Sequence, residues 1–203
     1  NGCALHQTSD WSLLDHHGLK ADEIAYLADF ARGFELPLTL CDVDNYYVVD
    51  QTANAHIIED TQNIFLTPKT ISLKKTINHH QPFFLAKFVG EPGLVEAFLK
   101  EEDAKLSQHF NTVLSQPSIY ETLPQGVSKA TGLQSLAERL GLLPSEIMAI
   151  GDANNDREML EFAGLAIAMD NASAPIKALA NHVTKSNNED GVAAAIYKWI
   201  LQK

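Results

Sequence analysis

The chain has 203 residues, 45% of them hydrophobic and 20% charged, which suits one sizeable globular domain or two small ones with a buried core. Its formal net charge of -11 argues against a nucleic-acid partner, because phosphate backbones are captured by clustered Lys and Arg. No apolar run of about eighteen residues occurs, and no basic segment followed by an apolar one opens the chain, so neither a membrane partner nor a secretion signal is read.

Taken in chain order, Asn1-Gly2-Cys3-Ala4-Leu5 reads as a turn leading into a short strand. Residues 21–31 place Ile24, Leu27, Ala28 and Ala31 on one helical stripe. A short strand follows at 38–41, and 42–75 reads as irregular and polar. Residues 83–89 predict a strand and 92–109 a helix opened by Pro92, with short strands at 112–115 and 119–123. Phe83, Phe84, Phe88 and Phe98 read as core, and Glu101-Glu102-Asp103 as a solvated helix face. Helices mixed with short, β-branched or aromatic strands describe an α+β module, with edges at residues 10 and 122.

The last third alternates more regularly. Leu133, Leu136, Ala137 and Leu140 recur at helical spacing up to Gly141, and residues 147–150 form an apolar strand. Asp156 then caps a helix carrying Met159, Leu160 and Ala163, which Gly164 closes. A strand at 165–169, a helix at 174–180 and a short strand at 182–184 follow. The closing helix, 190–201, is expected to bury Val192, Ile196 and Ile200, with Trp199 in its packing. This alternation implies βαβ units and a parallel sheet. The fold class is therefore α/β. A doubly wound parallel-sheet core of residues 1–9 and 123–203, incomplete at its N-terminal side, carries the inserted α+β module 10–122.

The chemistry concentrates in Gly151-Asp152-Ala153-Asn154-Asn155-Asp156, directly after an apolar strand. Loops at strand carboxyl ends are where open parallel sheets bind ligands. Carboxylates crowded there repel unless a cation sits between them, and Mg²⁺ suits such hard oxygen donors. Lys129, at the start of a helix, supplies a point charge for a phosphate. Taken alone, the loop also fits a plain helix cap, and Lys129 a solvated surface lysine. An EF-hand is rejected, because Arg157 and Ala163 stand where that loop needs glycine and glutamate.

The order Gly126-Val127-Ser128-Lys129, a helix, then Gly-Asp-x-x-Asn-Asp resembles the last two motifs of the haloacid dehalogenase superfamily, most closely its Cof-type phosphatases. The likeness continues through Ala163-Gly164, through 166–172, through Val183-Thr184-Lys185-Ser186-Asn187, and through Glu189-Asp190-Gly191-Val192. Asn1-Gly2 is similar to that family's short strand before its cap. The middle module, with Gln51-Thr52-Ala53-Asn54, resembles an inserted cap of the C2 type.

This resemblance implies a Mg²⁺-dependent phosphoric monoester hydrolase acting on small phosphorylated metabolites, such as sugar phosphates, through an aspartyl-phosphate intermediate. Carried over by motif, Lys129 holds the phosphoryl group and the nucleophile, and Asn155 touches the phosphate. Asp152 binds Mg²⁺ directly, and Asp156 acts in its first or second shell. The superfamily's first motif, a strand ending in Asp-x-Asp-Gly-Thr, does not occur in these residues, nor does the second. The chain thus reads as a phosphatase with its catalytic front removed. It is expected to be inactive alone and able to self-associate through an exposed sheet edge. A non-catalytic binding module and a phosphomutase are the alternatives.

Two further features are weighed and set aside. Leu38-Thr39-Leu40-Cys41-Asp42-Val43-Asp44 imitates the nucleophile strand, but Asn45 and Tyr46 follow where the family has a small residue and a threonine. It reads as a cap strand ending in solvated carboxylates. The pairs His16-His17 and His79-His80 read as exposed rather than metal-binding. Cys3 and Cys41 read as free thiols in a reducing cytoplasm, a single bridge being the alternative.

Overall fold

The computed structural model describes residues 2–202. Asn1, half of the strand read at Asn1-Gly2, lies outside the described residues. The chain divides into two compact units, Asn1–Asp15 with Val127–Lys203, and His16–Gly126.

The first unit opens with a hairpin of β1 (Ala4–His6) and β2 (Leu13–His16). Its turn is closed by the Trp11 N–H donating to the Gln7 carbonyl.

The second unit begins with α1 (Ala21–Phe34), whose buried stripe is the one predicted, Ile24, Leu27, Ala28 and Ala31. Then come β3 (Leu38–Cys41), β4 (Tyr46–Val49), α2 (Ala55–Asn63), β5 (Lys69–Ile71), α3 (Leu73–Thr76), β6 (Leu85–Val89), α4 (Pro92–Leu106), β7 (Phe110–Gln116) and β8 (Ile119–Pro124). The six strands form one sheet in the order β5-β4-β3-β6-β8-β7, antiparallel except for β4 with β5. Phe83, Phe84, Phe88 and Phe98 are buried, as predicted.

Residues 42–75 are not irregular: they hold β4, α2, β5 and α3. Asn54 starts α2 by accepting from the Ile57 N–H at 2.8 Å. These elements are short, and α2 buries Ile57 together with the polar Asp60 and Thr61, so no apolar period develops in the sequence. The acidic run on α4 is not simply solvated either. Glu102 is buried against Lys105, and Asp103 accepts from the Tyr120 and Thr112 hydroxyls, because the helix packs its carboxylates beside the polar atoms of β7 and β8.

The first unit resumes with α5 (Lys129–Leu140), β9 (Met148–Gly151), α6 (Arg157–Phe162), β10 (Leu165–Ala168), α7 (Ala174–Leu179), β11 (His182–Val183) and α8 (Gly191–Ile196), which widens into a π-type turn over Tyr197–Leu201. Its strands run parallel in the order β11-β10-β9, with Ala168 beside Gly151 and Ile167 beside His182. The α/β fold with a parallel-sheet core read from the sequence is borne out. Its centre is built from small residues, Ala149, Ala163, Ala166, Ala168 and Ala172 with Leu160 and Ile176, which let helices approach the sheet closely.

Two helices face differently from the reading. In α8 the buried positions are Gly191 and Ala195, so Val192, Ile196 and Ile200 are exposed. Gly191 lies so near the Lys185 carbonyl that a Cβ would stand 2.1 Å from it, and this close approach turns the small-residue face inward. On α5 only Ala137 is fully buried, and Leu136 and Leu140 are exposed. Among the described residues, no helix is long and apolar enough to cross a membrane.

Candidate functional site

The site is built at the carboxyl end of β9. That strand delivers Gly151, after which one 3₁₀ turn, Asn154–Asp156, carries the chain into α6. The turn folds the Asp156 side chain back over the strand end. One carboxylate oxygen, Oδ2, accepts from the Asp152 N–H at 2.9 Å and the Ala153 N–H at 3.1 Å. Asp156 therefore does not cap α6 with its side chain, as the sequence suggested, because its carboxylate closes the loop instead. Gly151 makes this possible. A Cβ there would stand 2.5 Å from the Asp156 Cβ and 2.9 Å from its Oδ2, where no side chain fits.

Lys129 enters from α5, which starts after Ser128 in extended conformation. Thr131 fastens that start, its hydroxyl accepting from the Ser128 N–H and donating to the Ser128 carbonyl. Gly2 packs on the same turn, with φ at +85°, and a Cβ there would lie 1.9 Å from the Ser128 carbonyl oxygen. An ammonium is poorly placed at a helix N-terminus, where the macrodipole is positive. Asp156 answers it: Lys129 Nζ donates to Asp156 Oδ1 at 2.5 Å, with the carboxylate side chain 6% exposed and the lysine 33%. Burial works against the charged form of Asp156, yet the lysine and the two backbone amides outweigh it and hold the carboxyl below its ordinary pKa.

Asp152 is exposed at the rim. Its Oδ2 accepts from Asn171 Nδ2 at 2.7 Å, on the turn after β10. Nothing in the sequence singled out Asn171 individually, since its partners are 16 and 19 residues away. Asn155, in the same turn as Asp156, has a buried side-chain oxygen with no hydrogen-bond partner among the described residues, and so does Ser128 at the foot of α5. Such an oxygen costs about 1–3 kcal/mol unless something meets it.

These positions define what a cation would find. No group of three or more His, Cys, Asp or Glu side chains suited to a metal occurs among the described residues. Both oxygens of Asp156 are engaged, whereas among the described residues only one oxygen of Asp152 is held, by Asn171. The Asp152 carboxylate is a hard donor of the kind Mg²⁺ takes, and a Mg²⁺ site commonly rests on one or two carboxylates plus substrate phosphate and water. The residues present fit that partial role.

Other candidates resolve differently. Asp42, read as solvated, has a side chain only 1% exposed. Its carboxylate accepts from the Asp44 and Asn45 N–H groups, the Asn45 amide and His79, because the strand end is sealed by its own turn. His79 is correspondingly half-buried and stacked on Phe83 at 4.6 Å. Cys3 and Cys41 form no disulfide among the described residues.

An acidic loop and a helix-borne lysine converge at the carboxyl end of the parallel sheet of an α/β protein, the end at which open parallel sheets carry their ligand sites. Residues 1–196 match the family model of haloacid dehalogenase-like hydrolases, and the chain belongs to that family. M6_Spy0533 of Streptococcus pyogenes is 38% identical over 137 residues, 68% of this chain and 48% of that protein. The 5-amino-6-(5-phospho-D-ribitylamino)uracil phosphatase YitU of Bacillus subtilis is 31% identical over 198 residues, covering 95% of this chain and 72% of that protein. The crystal structure of a haloacid dehalogenase-like hydrolase from Bacteroides thetaiotaomicron aligns with a TM-score of 0.80 at 28% identity, over 93% of this chain and 70% of that one. The chain thus spans about half the length of the first of these and about seven tenths of the other two. The likeness read from the Gly-Asp-x-x-Asn-Asp loop is borne out at the level of the family.

Proposed function

We propose that these residues form the phosphate- and cation-holding part of a Mg²⁺-dependent phosphoric monoester hydrolase acting on small phosphorylated metabolites, sugar phosphates among them. The contact between Lys129 and Asp156, in the loop that also carries Asp152 and Asn155, is the observation that carries it. Lys129 holds the phosphoryl oxygens as a fixed positive charge, oriented by Asp156. Asn155 faces the phosphate. Asp152, with one free oxygen, holds Mg²⁺, and Asp156 supports both from behind. When bound, the cation neutralises developing charge on the phosphoryl oxygens. The substrate class is supported by YitU, whose name gives a phospho-D-ribityl compound.

The nucleophile of an aspartyl-phosphate route belongs to an Asp-x-Asp-Gly-Thr strand, and the 203 residues contain none. We therefore read them as able to bind without turning over, with residues 16–126 as the cap. The Cys-poor composition, two cysteines in 203 residues, supports a reducing, cytoplasmic setting.

Calorimetric titration of the 203-residue chain with inorganic phosphate, with and without Mg²⁺, tests this reading. Binding strengthened by Mg²⁺, lost in Lys129→Ala and made Mg²⁺-independent in Asp152→Ala, is expected. Phosphate binding unchanged in both variants overturns it, and Mg²⁺-dependent hydrolysis of an aryl phosphate by the chain alone overturns the expected lack of turnover.

A further inference from the structure

Three loops meet at the carboxyl end of the parallel sheet: Asp152–Asp156 after β9, the turn following β10, and Ser186–Glu189 after β11. Backbone bonds bring them near one another. The Met169 N–H donates to the Gly151 carbonyl, the Asp170 N–H to the Lys185 carbonyl, and the Thr184 N–H to the Ala168 carbonyl. None of these reaches the Asp152 side chain. Among the described residues only Asn171 does, and it uses both halves of its amide. Its Nδ2 donates to Asp152 Oδ2 at 2.7 Å, while its Oδ1 accepts from the Asn187 N–H at 2.9 Å.

The orientation is fixed by chemistry. Turning the amide over would set oxygen against carboxylate and NH₂ against N–H, losing both bonds and creating two repulsions. Residue 171 must therefore donate on one side and accept on the other, as a carboxamide does. The consequence falls on Asp152, an exposed side chain that would otherwise sample several rotamers. Oδ2 is occupied by Asn171, and among the described residues the second carboxylate oxygen is the one left to a ligand.

We propose that Asn171 is a positioning residue, which locks the Asp152 carboxylate to the Ser186–Glu189 turn and so sets the affinity of the site for a divalent cation. The proposal rests on the reading of Asp152 as the metal-holding carboxylate. Partners one step behind a metal ligand typically govern affinity by 10–100-fold, through orientation.

The test uses the 203-residue chain and Mn²⁺ as a paramagnetic stand-in for Mg²⁺. Free Mn²⁺ is followed by electron paramagnetic resonance, and the Asp152 side-chain rotamer by three-bond couplings in nuclear magnetic resonance without metal. Asn171→Ala is expected to weaken Mn²⁺ binding about tenfold and to average the Asp152 couplings, which are those of a single rotamer in the unaltered chain. Lys177→Ala, which removes a surface pairing with Asp170, serves as the control and should change neither. Unchanged Mn²⁺ affinity in Asn171→Ala, or a still-fixed Asp152 rotamer, overturns this proposal alone. No Mn²⁺ binding by the unaltered chain overturns the metal reading beneath it, and the proposal with it.

Discussion

Lys129 and Asp156 lie 27 residues apart in sequence and meet at 2.5 Å, an ammonium at the start of one helix facing a carboxylate folded over the end of a strand. Neither group is comfortable without the other. The lysine faces a positive helix end, and the carboxylate is nearly buried. Removing the negative charge while keeping the shape should expose this dependence. Asp156→Asn is expected to lower stability by about 1–3 kcal/mol, measured by urea unfolding, and to weaken phosphate binding. A variant as stable as the unaltered chain would show that the pair contributes nothing.

The pH dependence follows from the sign of the shift. Asp156 and Asp42 are both held below the ordinary carboxyl value of 3.8, against the opposing effect of burial: Asp156 by Lys129 and backbone amides, Asp42 by His79 and its own turn. In the acid range the unfolded chain therefore binds more protons at these sites. Their contribution is fully present above 3.8 and disappears as pH falls through the lowered folded values. Urea midpoints measured between about pH 2 and 6 should converge for Asp156→Asn and the unaltered chain toward the acid end. A constant gap across that range would contradict the assignment.

Gly151 tests the loop geometry without touching a charge. A methyl group there must displace Asp156, since its nearest neighbours would be that residue's Cβ, Cγ and Oδ2. Gly151→Ala is expected to cost about 1–3 kcal/mol and to abolish Mg²⁺-enhanced phosphate binding, seen by calorimetry. Retained binding would mean that the loop relaxes freely.

In the other unit, β3, β6 and β8 align Thr39, Lys87 and Glu121 on one sheet face, and Lys87 donates to Asp60 of α2 at 2.9 Å. All four are buried, and the lysine also lies 5.4 Å from the Tyr46 ring centroid. Lys87→Met takes the ammonium away from the buried Asp60 carboxylate, so a loss of about 3–5 kcal/mol is expected on urea unfolding. Adding Asp60→Asn should recover part of it. A loss under about 1 kcal/mol would place the group in effectively wet surroundings.

Among the described residues, β9 ends the three-stranded sheet, with one side of its backbone unpaired. We expect concentration-dependent self-association by sedimentation velocity, diminished in Ile150→Lys, because a charge at an edge strand opposes pairing with another copy. A monomer at every concentration would exclude this edge as a self-association surface.

The alternation of strands and helices in the last third was legible because parallel strands are short apolar runs separated by amphipathic helices, and 147–150 and 165–169 each fall within a residue of the observed strand ends. The second unit was harder to read. Its elements between 42 and 75 are brief and bury Asp60 and Thr61, so hydrophobic period carries no signal there. The direction of α8 was also beyond the sequence, since a Gly–Ala face and a Val–Ile face have the same helical period. Only the approach to the Lys185 carbonyl selects the first.

For the site itself, the identity and spacing of residues determined the lysine, the acidic loop and the family, because a glycine, two carboxylates and an asparagine after an apolar strand leave few chemical uses. Tertiary structure alone decided which oxygen of each carboxylate is spoken for. Asp156 is consumed by Lys129 and two amides, while Asp152 keeps one oxygen free under the hold of Asn171. Hydrogen bonds between separate strand-end loops depend on register and turn geometry, which a linear pattern of residue types does not encode.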